Sequence, residues 1–288
     1  MASKPVNTAG GNSAFKYFVA AIGALALVGA GVYFAISSQN EKETKEILES
    51  QQQQHQDIIE HRKTEETIEA GDYYGVLQSN NEVVIAAQKE TLEEVDDLVV
   101  EIPAYVDGLM TTTVGEGLYA DSKITAVIIP EGVERLEDNC FRNCKYLKSV
   151  TIPDSVKYIG AHAFDGCVSL TSFHMPLDAC YLGAGCFANC TELTELDMPP
   201  YMEAIYEDTF RNTGLTTVKL DTVYEIGAHA FADCPNLTMI TIRANTKKID
   251  DTCFDGSDNI VICTTENSEA WKFGTEHNLT VIKAKTNK

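Results

Sequence analysis

A mainly β repeat solenoid, preceded by a transmembrane helix and a polar helical stalk, is the architecture that this 288-residue sequence predicts. Three observations predict it. Apolar ladders recur at intervals of 21 to 23 residues from Phe141 to Phe254. Residues 17–36 form a run without a single charge, and the polar stretch that follows contains neither Pro nor Gly.

The membrane segment comes first. Tyr17 to Ile36 reads YFVAAIGALALVGAGVYFAI, and twenty residues at about 1.5 Å rise span roughly 30 Å, the hydrocarbon thickness of a bilayer. Tyr17 and Tyr33 suit the two interfaces. A signal peptide cleaved after Ser37 is the competing reading, but its apolar core usually runs only about 7–15 residues. Lys4 and Lys16 precede the segment and no acid occurs before Glu41. The positive-inside rule therefore puts residues 1–16 in the cytoplasm and the bulk of the chain, residues 39–288, outside.

Residues 37–70 form the stalk. Glu, Lys and Gln dominate it, all good helix formers, and Glu41–Lys45 is a supportive pair one turn apart. Its few apolar residues sustain no heptad seam, so a helical spacer is expected, ended by Gly71. Residues 71–101 are expected to cap the solenoid.

The repeats occupy residues 102–263. Phe141, Phe164, Phe187, Phe210, Phe231 and Phe254 form one ladder. Leu147, Leu170, Leu193, Leu215 and Leu237 form another, followed three residues later by Val150, Phe173, Leu196, Val218 and Ile240. Two residues further come Ile152, Met175, Met198, Leu220 and Ile242. The last two ladders share one side of a short strand by the period of two. Pro130, Pro153, Pro176 and Pro199 then end the strand, since proline cannot donate to a sheet. A second short segment, such as Val156–Ile159, faces apolar residues back at the first, and Gly160, Gly183 and Gly227 are expected to make a tight bend after it. No single unit could bury this face alone; stacked units share one core. A degenerate unit precedes the series, with Ile102–Pro103, Val106, Leu109 and Leu118 in matching roles.

The units IPDSVKYIGAHAFDGCVSLTSFHMP and LDTVYEIGAHAFADCPNLTMITI closely resemble the BspA-like class of leucine-rich repeats, and the ending NSEAWKFGTEHNLTVI, within residues 264–288, is similar to its terminal cap. The resemblance covers roughly Ile102 to Ile282. Asp221 and Arg243 depart from it where Pro is expected, and Thr213 and Ser257 where Cys is expected, which leaves the strand ends open there. The resemblance implies a surface-exposed solenoid used by microbes for attachment and protein recognition, with no catalytic residues to carry over.

Other chemistry is thinly represented. The net charge of -21 argues against nucleic acid or an anionic lipid surface as main partner. Of nine cysteines, Cys144, Cys167, Cys190 and Cys234 share one repeat position. Cys140, Cys186 and Cys253 share another with Ala163 and Ala230, so mostly free, buried thiols are expected. The Cys140/Cys144 and Cys186/Cys190 spacings are explained by the repeat, and no metal, cofactor or catalytic group is assigned. Gly115-x-Gly117-x-x-Ala120 lacks the βαβ context of a dinucleotide loop, and Asp250–Asp258 lacks the order of a calcium loop.

Two surfaces are candidates for a protein ligand. Tyr158 and Tyr181 share a repeat position and, with Tyr201 and Tyr224 nearby, would align into an aromatic stripe. On the other limb, Ile128, Thr151, His174, Asp197, Lys219 and Thr241 lie between inward residues and share no chemistry. The expected function is a membrane-anchored protein mediating protein–protein recognition or adhesion; the alternative is a membrane-tethered scaffold subunit of a larger assembly.

Overall fold

The structure, a computed structural model, describes residues 67–70, 73–77, 82–88, 98–199 and 201–284. The predicted tail, the transmembrane helix and the stalk up to Glu66 lie outside the described residues. No helix among the described residues is long and apolar enough to cross a membrane.

Strands β1 (Thr67–Ala70), β2 (Tyr73–Leu77) and β3 (Glu82–Gln88) open the described chain, each antiparallel to the next. The helical reading of the stalk fails at its last four residues: Thr67 pairs with Val76 and Ala70 with Tyr73. Two of those four, Thr67 and Ile68, are β-branched, which favours a strand once a partner is present. β3 then runs parallel to β6, so the meander is part of one eight-stranded sheet that continues into the solenoid.

The first rung carries an insertion. After β4 (Val99–Glu101), strands β5 (Tyr105–Val106) and β6 (Leu109–Val114) form a hairpin. Asp107 and Gly108 between them both have positive φ, 50° and 80°, as a type I′ turn requires. The insertion moves the inward place from Leu109 to Val114, which pairs with Leu136. Leu118 packs partly buried against the core, while its neighbour Tyr119 stacks on Phe141 with ring centroids 5.6 Å apart.

From there each rung gives one strand to each of two parallel limbs. The first limb continues through β7 (Ala126–Ile128), β9 (Ser149–Thr151), β11 (Ser172–Phe173), β13 (Glu195–Leu196), β15 (Thr217–Leu220), β17 (Met239–Ile242), β19 (Val261–Thr264) and β20 (Thr280–Lys283). The second continues through β8 (Arg135–Leu136), β10 (Tyr158–Ile159), β12 (Tyr181–Leu182), β14 (Ala204–Ile205), β16 (Glu225–Ile226) and β18 (Lys248–Ile249). Pairing is parallel and in repeat register, as in Arg135↔Tyr158↔Tyr181 and Val218↔Ile240↔Ile262. Between the limbs the phenylalanine ladder is buried, with successive centroids 5.3, 5.4, 5.8, 5.4 and 5.8 Å apart. Each ring contributes roughly 1.5–3 kcal/mol by transfer from water, so the ladder is a large part of the driving force.

Tight turns on one edge carry those rings, and their amides divide in two sets. Asn139, Phe141 and Asn143 donate to Ala161, Ala163 and Asp165 of the next rung at 2.9, 2.9 and 2.7 Å. The alternate residues Cys140, Arg142 and Cys144 donate three residues back along their own rung. This satisfies the buried backbone without a helix. Successive rungs place two left-handed residues four apart here: Asn139/Asn143, His162/Gly166, Gly185/Asn189, Asp208/Asn212 and His229/Asp233. Asn, Asp, Gly and His are the types that adopt this conformation most readily.

The bend expected after Gly160, Gly183 and Gly227 is present as the tight turns that begin at Ala161, Ala184 and Ala228, but the glycines themselves do not take a positive φ. Close approach is the real constraint. A Cβ on Gly160 would lie 2.6 Å from the Asp138 amide nitrogen, and one on Gly227 would lie 3.0 Å from that of Glu207.

Where proline is missing, the first-limb strands lengthen to four residues, as in β15 and β17. Asp221 and Arg243 stand at the vacated positions and pair at 2.6 Å. The C-terminal end is covered by α1 (Glu269–Glu276), capped by Ser268, whose hydroxyl accepts from the Trp271 amide at 3.1 Å. α1 buries Ala270, Phe273 and Gly274, and β20 adds the last strand beside β19.

Candidate functional site

The sequence pattern places Tyr158 and Tyr181 at the outward position of β10 and β12, beside Ile159 and Leu182, which point inward. Parallel register brings the two rings face to face, with centroids 4.6 Å apart and planes 3° from parallel. Both side chains are half-buried. Arg135 precedes them in the same row; its guanidinium carbon sits 3.9 Å from the Tyr158 centroid and its Nε donates to Glu137 at 2.9 Å. Tyr206 follows, its ring 5.2 Å from Tyr181 and tilted by 45°. The result is a continuous ladder of one guanidinium and three aromatic rings over four rungs.

Tyr206 was not legible in the repeat. It occupies the position of Gly160, Gly183 and Gly227, and only its lean toward Tyr181 joins it to the stripe. Tyr201 and Tyr224, the expected continuations, lie on other rows and are 67% and 50% exposed. Tyr224 precedes its strand, with its amide bonded to the Glu203 carbonyl.

The ladder lies in acidic surroundings. Burial pushes the Tyr158 hydroxyl well up, and the charge of Asp138 adds to this. Tyr181 is pushed up to about 12, chiefly by burial. The Tyr206 hydroxyl is raised by burial and then by Glu225 and Glu203. All three therefore stay protonated donors at neutral pH. Asp138 is itself raised by burial, although its Oδ1 accepts the Ala161 amide at 2.8 Å.

His174 and Asp197 fall just beyond β11 and β13 on the first limb, both exposed. The structure thus pairs Tyr158 with Tyr181 but sets His174 and Asp197 on a separate face. A third feature is a polar hollow of about 400 Å³ on the turn edge, lined by residues including His162, Asp165, Asp208 and Arg211. Burial alone would raise the Asp165 carboxyl, but the Asn189 amide donating at 2.9 Å and the nearby His162 and Arg142 side chains hold it below the usual range. Its charges are internally paired, Arg211 with Asp208 at 3.5 Å and with Asp233 at 3.1 Å. Among the described residues no group of three His, Cys, Asp or Glu is placed to hold a metal ion.

All nine cysteines are unbridged; seven are buried, Cys180 is exposed and Cys263 is half-buried. The Cys144 ladder does more than fill space. Cys144, Cys167, Cys190 and Cys234 donate to the carbonyls of Tyr119, Phe141, Phe164 and Phe210 at 3.0, 3.2, 3.1 and 3.1 Å. Ser257 does the same to Phe231 at 2.8 Å, whereas Thr213 donates within its own rung to Phe210 at 3.0 Å. A hydroxyl can replace a thiol there because the position needs a small donor. Burial raises these thiols, Cys144 to about 11, so they are poor nucleophiles.

Two parallel limbs joined by a proline-marked turn and a tight-turn edge define a leucine-rich-repeat solenoid. Residues 112–234 and 220–285 match the model of the BspA type leucine rich repeat region, in six copies, and the chain belongs to that family. No curated protein matches it. Among solved structures, a leucine-rich-repeat protein of T. pallidum is 20% identical, with 68% of this chain and 85% of that one covered and a TM-score of 0.46. A leucine-rich cell surface protein of Faecalibacterium prausnitzii is 18% identical, covering 77% and 95% with a TM-score of 0.43. A Bacteroides ovatus leucine-rich-repeat protein is 18% identical, covering 68% and 70% with a TM-score of 0.36.

Proposed function

We propose that this chain is a membrane-anchored recognition protein that displays its solenoid outside the cell and binds a protein ligand, as an attachment module. Family membership supports the protein–protein reading. The observation that carries it to a surface is the stacked pair Tyr158–Tyr181, two half-buried rings with centroids 4.6 Å apart on a sheet face. Pre-stacked tyrosines present apolar area and hydroxyl donors at little entropic cost, which is what an interface anchor needs. The anchoring part rests on the uncharged run 17–36 and the basic tail before it.

Two experiments test this reading. Protease added to intact cells should remove residues 39–288; full protection would overturn the topology. Attachment to immobilised candidate protein ligands should then be measured for Tyr158→Ala/Tyr181→Ala and for His174→Ala/Asp197→Ala. The tyrosine variant should lose most binding and the first-limb variant little. If both fold and both bind normally, the surface assignment fails.

A further inference from the structure

We propose that the ligand presents an arginine side chain, seated on the outer face of Tyr206 between Glu203 and Glu225. This rests on the recognition reading above and names the chemistry of the partner.

The protein already displays the arrangement once. At the N-terminal end of the ladder, Arg135 lies over the Tyr158 ring and bonds to Glu137. A planar guanidinium meets both demands together, stacking by its face and donating by its edge. At the other end the same parts stand without the arginine. Tyr206 leans back toward Tyr181, at 5.2 Å. The next rung places Gly227 beside it, fixed by the Gly227 amide donating to the Ile205 carbonyl at 2.8 Å. Glycine has no side chain, so on this row the next side chain after Tyr206 is that of Asp250, one rung beyond Gly227.

Two acids and one lysine flank this gap. Glu203 is exposed, and Glu225 is close enough to Tyr206 for its charge to affect the hydroxyl. Glu225 also holds Lys248 at 3.1 Å, an exposed pair that an incoming cation can share. Charge complementarity thus selects a cation, and a flat ring beside a gap about one rung wide, roughly 4.8 Å, selects a planar one.

The test uses the full chain and surfaces bearing a short Gly/Ser peptide with one arginine, or twins with citrulline or lysine in its place. Retention on the arginine surface should exceed that on citrulline by roughly tenfold, with lysine between them. Tyr206→Leu keeps an apolar cover on the sheet but removes the π face, and Glu203→Gln/Glu225→Gln removes the charge. Each should lower arginine retention about fivefold, while Glu131→Gln on a distant turn should change it less than about twofold. A thermal melt checks that each variant folds. Equal retention on arginine and citrulline, or a Tyr206→Leu chain indistinguishable from Glu131→Gln, overturns the proposal. The attachment assay separates the two readings. If Tyr158→Ala/Tyr181→Ala abolishes attachment and Tyr206→Leu leaves it intact, recognition stands and the arginine seat falls. If the peptides discriminate but neither variant alters attachment, the seat stands and the recognition reading falls.

Discussion

The rungs from Ile102 to Pro199 and those from Met202 to Thr264 solve the same problem with different parts. In the first group, proline ends the first-limb strand after two or three residues. In the second, the strands run to four residues and an Asp221–Arg243 ion pair stands where the prolines were. The thiol donors Cys144, Cys167 and Cys190 of the first group give way to Thr213 and Ser257 around Cys234 in the second. The phenylalanine ladder crosses the boundary unbroken, with Phe187 and Phe210 stacked at 5.8 Å. Register is therefore held by the inward rows, and the terminators are interchangeable.

The strongest way to break this comparison is at the shared ladder. Phe187→Ala should destabilise by about 3–5 kcal/mol, because the ring packs against Phe164, Phe173 and Phe210. Phe254→Ala, near the C-terminal end and already 6% exposed, should cost less. Chemical denaturation of both variants checks it, and an unchanged Phe187→Ala midpoint would mean the ladder is not shared.

At the donor positions, Ser257→Ala should cost about 1–3 kcal/mol. It removes both a donor to Phe231 and the acceptor for the Cys234 amide at 2.9 Å. Cys190→Ala removes only a thiol donor, so its loss should be smaller. Equal losses would show that the position is mere filler.

Two aspartates of the turn edge respond to pH in opposite directions. Asp165 is held below the ordinary value of 3.8. Its stabilisation is present above that value and lost as pH falls through the depressed folded value. Asp138 is raised above 3.8 by burial, so it costs stability at neutral pH, and acidification through its raised value recovers that cost. Asp165→Asn should therefore lower, and Asp138→Asn raise, the denaturation midpoint at pH 7. The Asp138→Asn gain should shrink as pH falls toward 4.

The smallest effect belongs to the proline substitutes. Arg243→Ala should change stability by less than about 1 kcal/mol, since both partners of its ion pair are more than half exposed. A larger loss in low-salt denaturation would mean that the ion pair, and not the core, sets strand length there.

The inward structure was legible because burial imposes chemistry on every rung: the Phe, Leu and Val rows appear in the sequence and line the core. Outward features were less so. Tyr206 joins the tyrosine stripe from a glycine position by the tilt of one side chain, and a repeat position does not encode tilt. Likewise Gly160 and Gly183 mark the approach of a neighbouring backbone, information held by two rungs together and absent from either alone. The hairpin that displaces Leu109 rests on Asp107–Gly108, a turn signal hidden inside a degenerate repeat.

The interior is in effect a one-dimensional crystal of phenylalanine rings, and crystals of this kind grow by adding another unit at the end. Phe273 from α1 meets Phe254 edge-on at 65° and 5.9 Å, breaking the translation that every earlier ring obeys. A further ring cannot continue the stack across that edge. α1 acts as a growth poison on the core, ending the array where a stacked ring would otherwise add the next layer.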